Sequence, residues 1–522
     1  MATTTRTRFR KQVRSFVVIW TGLTIALAAA TFIAIYMTYD AVDPLAARGA
    51  NMRDVALPAE TRITALDSRA ATANAALIQA TEVRGTAQAQ FAAITATAQA
   101  IDAAAKQTQT VETVPLIAQV ATGTPDPFGG VPLATQARAG GSGAADTGAS
   151  APIAPNPTLL PVDERRFQLG VQVQVSYDNM GQWMDVAANQ LDVNWVKFQV
   201  RWEDIETAPD TFDWFIPDTF LPAAQARGLR VLASIVTAPD WAREDGVNLD
   251  RHGPPADPQT YANFVSALLR RYPGMIHAIE VWNEQNLDRE WTSIDGLRAA
   301  DYVELLRVTH TAIKAVDPNV IVISGALAPT GLSDGVAAWD DFVYMDQLIA
   351  AGMLNYTDCV GAHHNGINLS PEYTWDAVPN DPSATYRGPF DNPHHSWSFR
   401  STLQTVASKI ALAGGTQKLC VTEFGWPSAE GLSGIPQGFE FANDNTLEEQ
   451  RDFTVTAIQS MLDWDTVQLA ILWNLNYGAQ AGWAANNDNV AYSIIGPNFV
   501  FRPVFDAVRD WNRAYEARVN ES

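Results

Sequence analysis

From residue 162 onward, short apolar runs alternate with longer segments of helical period. The runs fall at 167–173, 195–201, 230–236, 276–282, 320–326, 359–363, 418–422 and 467–473. They predict strands, since brief apolar stretches bounded by polar or turn residues suit a sheet covered on both faces. The segments between and after them predict helices near 182–189, 217–227, 258–271, 299–316, 339–351, 399–413, 447–462 and 503–517. Eight strand–helix repeats over about 350 residues predict an α/β fold, a (β/α)8 TIM barrel. A doubly wound open sheet alternates too. Such a sheet that binds a dinucleotide carries a Gly-rich phosphate loop after its first strand, and none is present here.

The first 161 residues read differently. Residues 1–15 carry Arg6, Arg8, Arg10, Lys11 and Arg14 and no acid. Residues 16–38 are uncharged and long enough to cross a bilayer, which predicts a single-pass transmembrane helix at the cell membrane. The basic flank would stay cytoplasmic and the rest of the chain would lie outside. A cleaved signal peptide ending near Ala28-Ala29-Ala30 is the competing reading. Residues 39–121 are rich in Ala, Thr and Gln. Ile63, Leu66, Ala70, Ala73 and Leu77 follow a 3-4 spacing there, which suggests a helical stalk pairing with a second copy as a homo-oligomer. A disordered spacer is the alternative. Residues 122–161 turn to Pro, Gly and Ser and predict a flexible linker before a barrel domain at 162–522.

Composition narrows the function. The chain of 522 residues is 47% hydrophobic, enough for a sizeable core, and its formal charge is −22. An acidic surface repels phosphate backbones, so no nucleic acid is expected as partner. Two cysteines, Cys359 and Cys420, exclude a disulfide framework and a cysteine-based zinc site. Both lie in apolar runs and are expected as buried free thiols, with one bridge between neighbouring strands as the alternative. Of 16 tryptophans, all but Trp20 lie beyond residue 180. Flat aromatic faces stack on sugar rings, although most of these indoles are expected in the core.

TIM barrels carry their reactive groups at the C-terminal ends of strands. The fourth run leads into Trp282-Asn283-Glu284 and the seventh into Thr422-Glu423-Phe424-Gly425-Trp426. Two carboxyls from opposite sides of a barrel meeting at one mouth suit glycosidic bond cleavage. One protonates the leaving oxygen while the other attacks or activates water, so the first must be neutral when the second is charged. Alternation along strands gives Glu280, Trp282 and Glu284 one parity and Lys197, Gln199 and Arg201 another shared one, so both sets could face the barrel interior. Glu280 then reads as a buried structural acid needing a cation, with Lys197 or Arg201 as candidates.

Trp282-Asn283-Glu284 with Gln285-Asn286 resembles the Asn-Glu acid/base motif of the large retaining clan of TIM-barrel glycoside hydrolases, clan A. Thr422-Glu423-Phe424-Gly425-Trp426 resembles its nucleophile strand. The likeness runs over about residues 165–515. It is strongest to the β-xylosidase-like and exopolysaccharide-hydrolase group (family 39-like), then to the cellulase-like group (family 5-like). Gln285 departs from the first group, which often carries Pro there. The resemblance implies Glu284 as acid/base, Glu423 as nucleophile and Asn283 on the sugar 2-hydroxyl. It implies Arg201 as the cation beside the nucleophile and His363 and His364 as contacts of nucleophile or sugar. It also implies Trp473 as the floor under the cleaved sugar, with Trp241 and Trp426 as further stacking faces. His394-His395 sits in a long loop that could line the cleft. The expected partner is a poly- or oligosaccharide, cleaved with retention and without cofactor or metal. Rival readings are an inactive glycan-binding or cell-wall scaffold barrel and a transglycosylase on the same site.

Overall fold

The computed structural model describes residues 166–384, 386–388 and 394–521. The predicted basic tail, membrane helix, stalk and linker, and the oligomer expected through the stalk, lie outside those residues. Among the described residues no helix is long and apolar enough to cross a membrane.

Eight parallel strands form the sheet: β1 (Gln168–Gln172), β2 (Trp195–Arg201), β3 (Arg230–Val236), β4 (Ala278–Val281), β5 (Ile321–Ser324), β6 (Val360–Asn365), β7 (Leu419–Gly425) and β8 (Val467–Leu472). Neighbours pair in chain order, and β1 pairs with β8. A parallel bridge from Ile323 to Cys359 joins β5 to β6 and closes the ring. The helices that cover it are α1 (Met180–Asp185), α2 (Phe215–Gln225), α3 (Pro258–Arg271), α4 (Ala299–Val316), α5 (Asp341–Ala350), α6 (Phe399–Leu412), α7 (Leu447–Trp464) and α8 (Pro503–Glu521). The predicted (β/α)8 barrel is therefore the observed fold. After Asp185 the first helix continues as a π-helical segment, Val186–Gln190.

Local chemistry sets the helix starts. Asp257, Asp340 and Ser398 cap α3, α5 and α6 with side-chain oxygens on backbone N–H groups. Thr446 and Glu449 form a reciprocal capping box at the head of α7. These are the polar residues expected where an apolar helical period begins.

Strand alternation divides the apolar residues into two bodies. Trp195, Leu232, Ile321, Ile323, Leu469 and Ile471 fill the inside of the barrel, while a larger cluster packs strands against helices. Gly170 makes room for the inner filling: a Cβ there would stand 2.6 Å from the Cβ of Trp195. Cys359 and Cys420 belong to the inner body and are joined by a disulfide, with Cα atoms 5.8 Å apart. This corrects the expectation of free thiols. Adjacent strands β6 and β7 present both side chains to the same interior, within the span a disulfide bridges.

Candidate active site

The mouth of the barrel is held by an unusual backbone. Trp282 and Glu284 both have positive φ, 74° and 49°. A left-handed conformation costs a non-glycine residue about 1–3 kcal/mol and persists where surroundings impose it. Here Trp282 N–H donates to the Ile235 carbonyl at 3.1 Å and Glu284 N–H to the Ala326 carbonyl at 2.8 Å. The Trp282 indole is buried and donates to the Glu290 carbonyl at 3.0 Å. The turn aims the Glu284 carboxyl across the mouth toward His363 of β6.

His363 is the hub of the site. Its Nδ1 lies 3.2 Å from Glu284 Oε1, and its Nε2 lies 3.9 Å from Glu423 Oε1. The two carboxyls thus sit on opposite nitrogens of one imidazole. These two contacts and the ring's width bound the distance between the two Oε1 atoms, and that bound spans the separations used for both retention and inversion. Burial alone would lower the His363 pKa, but the Glu423 charge and the Glu284 hydrogen bond raise it above the usual histidine value.

Beneath Glu423 lies Lys197, fully buried on β2. Its Nζ reaches Glu423 Oε1 at 3.1 Å, the Thr422 carbonyl at 3.2 Å and Glu280 Oε2 at 3.2 Å. Glu280 also accepts from the Thr422 hydroxyl at 2.6 Å. Burial opposes charge on both groups of the pair, yet each holds the other ionised: Lys197 is raised and Glu280 lowered. Asn365, which ends β6 on the same face as His363, donates to Glu423 Oε2 at 3.3 Å.

Arg201 does not fill its expected place. It is 43% exposed and pairs with Glu203 and Asp204 on the following turn, and Lys197 is the cation against Glu423. Both share the inner face of β2, but Lys197 lies two pleat repeats deeper, level with the carboxyls. His364 also departs from expectation. It faces out of the barrel, where its Nε2 meets the Ser396 carbonyl at 3.1 Å, its ring abuts Phe399, and burial lowers its pKa to about 4. Trp426 is 1% exposed, donates to the Leu369 carbonyl at 2.9 Å and packs on Phe399, so no face remains for a sugar. Trp241 is half-buried rim packing, edge-on to Trp202 with its N–H on the Glu206 carbonyl. Trp473 follows β8, half-buried, with its N–H on the Phe424 carbonyl at 2.7 Å beside the strand of Glu423. Asn283, adjacent to Glu284, is 7% exposed and keeps its side-chain oxygen without a hydrogen-bond partner.

Asn365, Arg289 and Glu290 were not singled out from the sequence, and the last two bear on Glu284. Arg289 Nη2 binds Glu284 Oε2 at 3.0 Å, and its Nε lies 3.4 Å from Glu290 Oε1. The signal for Arg289 and Glu290 was their place in the loop after β4, five and six residues beyond Glu284. They change the electrostatics of the mouth. Burial would raise the Glu284 pKa, but the His363 hydrogen bond and charge, joined by Arg289, hold it down at about 2. These partners favour the carboxylate form of Glu284. Burial and the neighbouring Glu284 charge push Glu290 up to about 7.

Asp340, His394 and His395, on the rim between α5 and α6, are the described residues whose donors come close enough together for a metal ion. Their hydrogen bonds suit an ion-paired cluster better. His394 Nδ1 accepts the Ser396 N–H at 3.1 Å, which leaves the ring proton on Nε2, the atom a metal would need bare. His395 Nε2 lies 3.1 Å from Asp340 and 3.2 Å from Asp341.

No family model and no curated protein matches the sequence. Among solved structures the chain is similar to a family 39 glycoside hydrolase from the gut symbiont Bacteroides cellulosilyticus WH2, at 16% identity and TM-score 0.48, over 67% of this chain and 64% of that one. It is similar to the exo-β-1,4-mannosidase Op5Man5 from Opitutaceae bacterium strain TAV5, at 16% identity and TM-score 0.44, over 67% and 60%. It is also similar to xylanase 10B from Thermotoga maritima, at 15% identity and TM-score 0.44, over 69% and 98%. The chain spans less than two thirds of the first two proteins. The likeness is one of barrel fold and singles out no family.

Proposed function

We propose that the chain is a retaining glycoside hydrolase acting on a poly- or oligosaccharide. The observation that carries this reading is the placement of Glu284 and Glu423 on the two nitrogens of His363 at the barrel mouth. In the first step Glu423 attacks the anomeric carbon, the bond to the leaving oxygen breaks, and Glu284 gives that oxygen its proton. In the second step Glu284 takes a proton from water as the water oxygen attacks the same carbon and releases Glu423. Lys197 and Asn365 hold the Glu423 carboxyl in place for attack. Asn283, with its free side-chain oxygen, is suited to the sugar 2-hydroxyl, and Trp473 to the sugar face. A sugar hydroxyl in place of water would make the same site a transglycosylase.

The interior disulfide suits an oxidising compartment and so supports the extracytoplasmic placement read from the basic and apolar N-terminus. Anchoring by residues 16–38 and pairing through the stalk belong to the same proposal. The test is the stereochemical course of hydrolysis, followed by NMR on an aryl glycoside that the protein turns over. Retention of anomeric configuration is expected. A first-formed product of inverted configuration would refute double displacement.

A further inference from the structure

The proposed acid catalysis by Glu284 needs a protonated carboxyl, while His363 and Arg289 favour its charged form. His363 faces it from β6 and is 1% exposed, shut in among Glu280, Glu423 and Lys197. Arg289 faces it from the loop after β4 and is 64% exposed. Of these two partners, Arg289 is the one with room to withdraw, and its second contact marks where it would go. Glu290 lies 3.4 Å from Arg289 Nε and is 23% exposed. The Glu290 backbone is fixed by the Trp282 indole on its carbonyl and by its own N–H on the Leu287 carbonyl, both at 3.0 Å. One flexible guanidinium thus bridges two anchored carboxyls. The wider field on Glu290 comes from Glu423 and Arg201, and that on Arg289 includes Asp488 from the loop after β8.

Building on the double-displacement reading, we propose that Arg289 is a positioning residue, a mobile counterion paired with Glu284 and drawn onto Glu290 when a glycan fills the leaving-group side. Before the move Glu290 carries a proton and Glu284 the negative charge. After it the two have exchanged, Arg289 is still a cation, and the net charge of the set is unchanged. A sugar against Glu284 excludes water, which disfavours its charged form, while the arriving guanidinium favours the charged form of Glu290. Protonation of the acid is thereby tied to occupancy of the cleft. The three groups titrate as one set, with the apparent values belonging to the set.

The experiment compares kcat/KM pH profiles of wild type, Arg289→Gln, Glu290→Gln and Glu284→Gln. The probes are paired nitrophenyl and dinitrophenyl β-glycosides of glucose, xylose and mannose, using the pair turned over fastest, with folding checked by circular dichroism. Glu290→Gln removes the proton store, so the basic limb with the nitrophenyl substrate moves acidward, with a loss of about tenfold or more near pH 7. Arg289→Gln frees Glu284 of its cation, so the limb moves toward higher pH. The dinitrophenyl substrate, whose leaving group needs little acid help, shows neither shift. A merely structural role would lower the plateau and leave the limb in place, and that result in both variants overturns the proposal. If Glu284→Gln itself leaves the nitrophenyl rate unchanged, or the wild type turns over none of the probes, the hydrolase reading beneath it fails instead.

Discussion

Lys197 and Glu280 meet inside the barrel at 3.2 Å, each with its side chain wholly removed from solvent, and Glu423 closes the group at 3.1 Å from the same ammonium. One cation therefore serves both a structural carboxylate and the proposed nucleophile. Replacing Lys197 with Met would leave two buried negative charges without their partner. The expected cost is about 3–5 kcal/mol of stability, since a buried pair broken on one side leaves an uncompensated charge. Adding Glu280→Gln to Lys197→Met should restore part of it. Urea unfolding of the two variants checks both, and equal stability of Lys197→Met and wild type would contradict the arrangement.

Trp426 and Trp473, both expected from the resemblance as faces for a sugar, should behave differently. Trp426→Ala removes a fully enclosed indole and should cost about 3–5 kcal/mol. Trp473→Ala should change stability less and impair turnover more. Thermal unfolding and kinetics on one aryl glycoside separate the two outcomes.

This pair also shows how far the sequence was legible. Strand and helix positions followed from periodicity, because each element must bury one face against the barrel or its shell. Glu284, Glu423 and the need of Glu280 for a cation followed from strand ends and alternation. What alternation does not give is depth along a strand. Lys197 and Arg201 share a face of β2, and only the stagger of neighbouring strands decides which is level with Glu423. Nor does it fix the chain beyond a strand's end, where Trp426 turns inward and Arg289 folds back over Glu284. The cysteines lay in runs recognised as neighbouring strands, but the inward facing of both depended on the same stagger.

The Cys359–Cys420 bridge closes a loop across 61 positions. Replacing both residues with Ala should cost about 2–4 kcal/mol, chiefly by freeing the unfolded chain. Thiol titration of native and of denatured protein should find no reactive cysteine until a reductant is added.

The rim cluster gives stability a pH dependence. Burial would lower the His395 pKa, but Asp340 and Asp341 raise it to about 9. The folded value lies above the unfolded value of about 6.5, so its contribution is complete below about pH 6.5 and is lost as pH rises through about 9. Urea unfolding from pH 6 to 10 should show that decline in wild type, and His395→Gln should flatten this part of the curve.

The central claim is that Glu423 attacks the sugar carbon while Glu284 faces it across the same gap. Trapping with activated 2-fluoro glycosides, followed by peptide mass mapping, tests it most directly. The expected result is one glycosyl adduct per chain on the peptide carrying Glu423, absent in Glu423→Ala. A stable adduct on any other carboxylate, Glu284 and Glu290 included, would contradict the account.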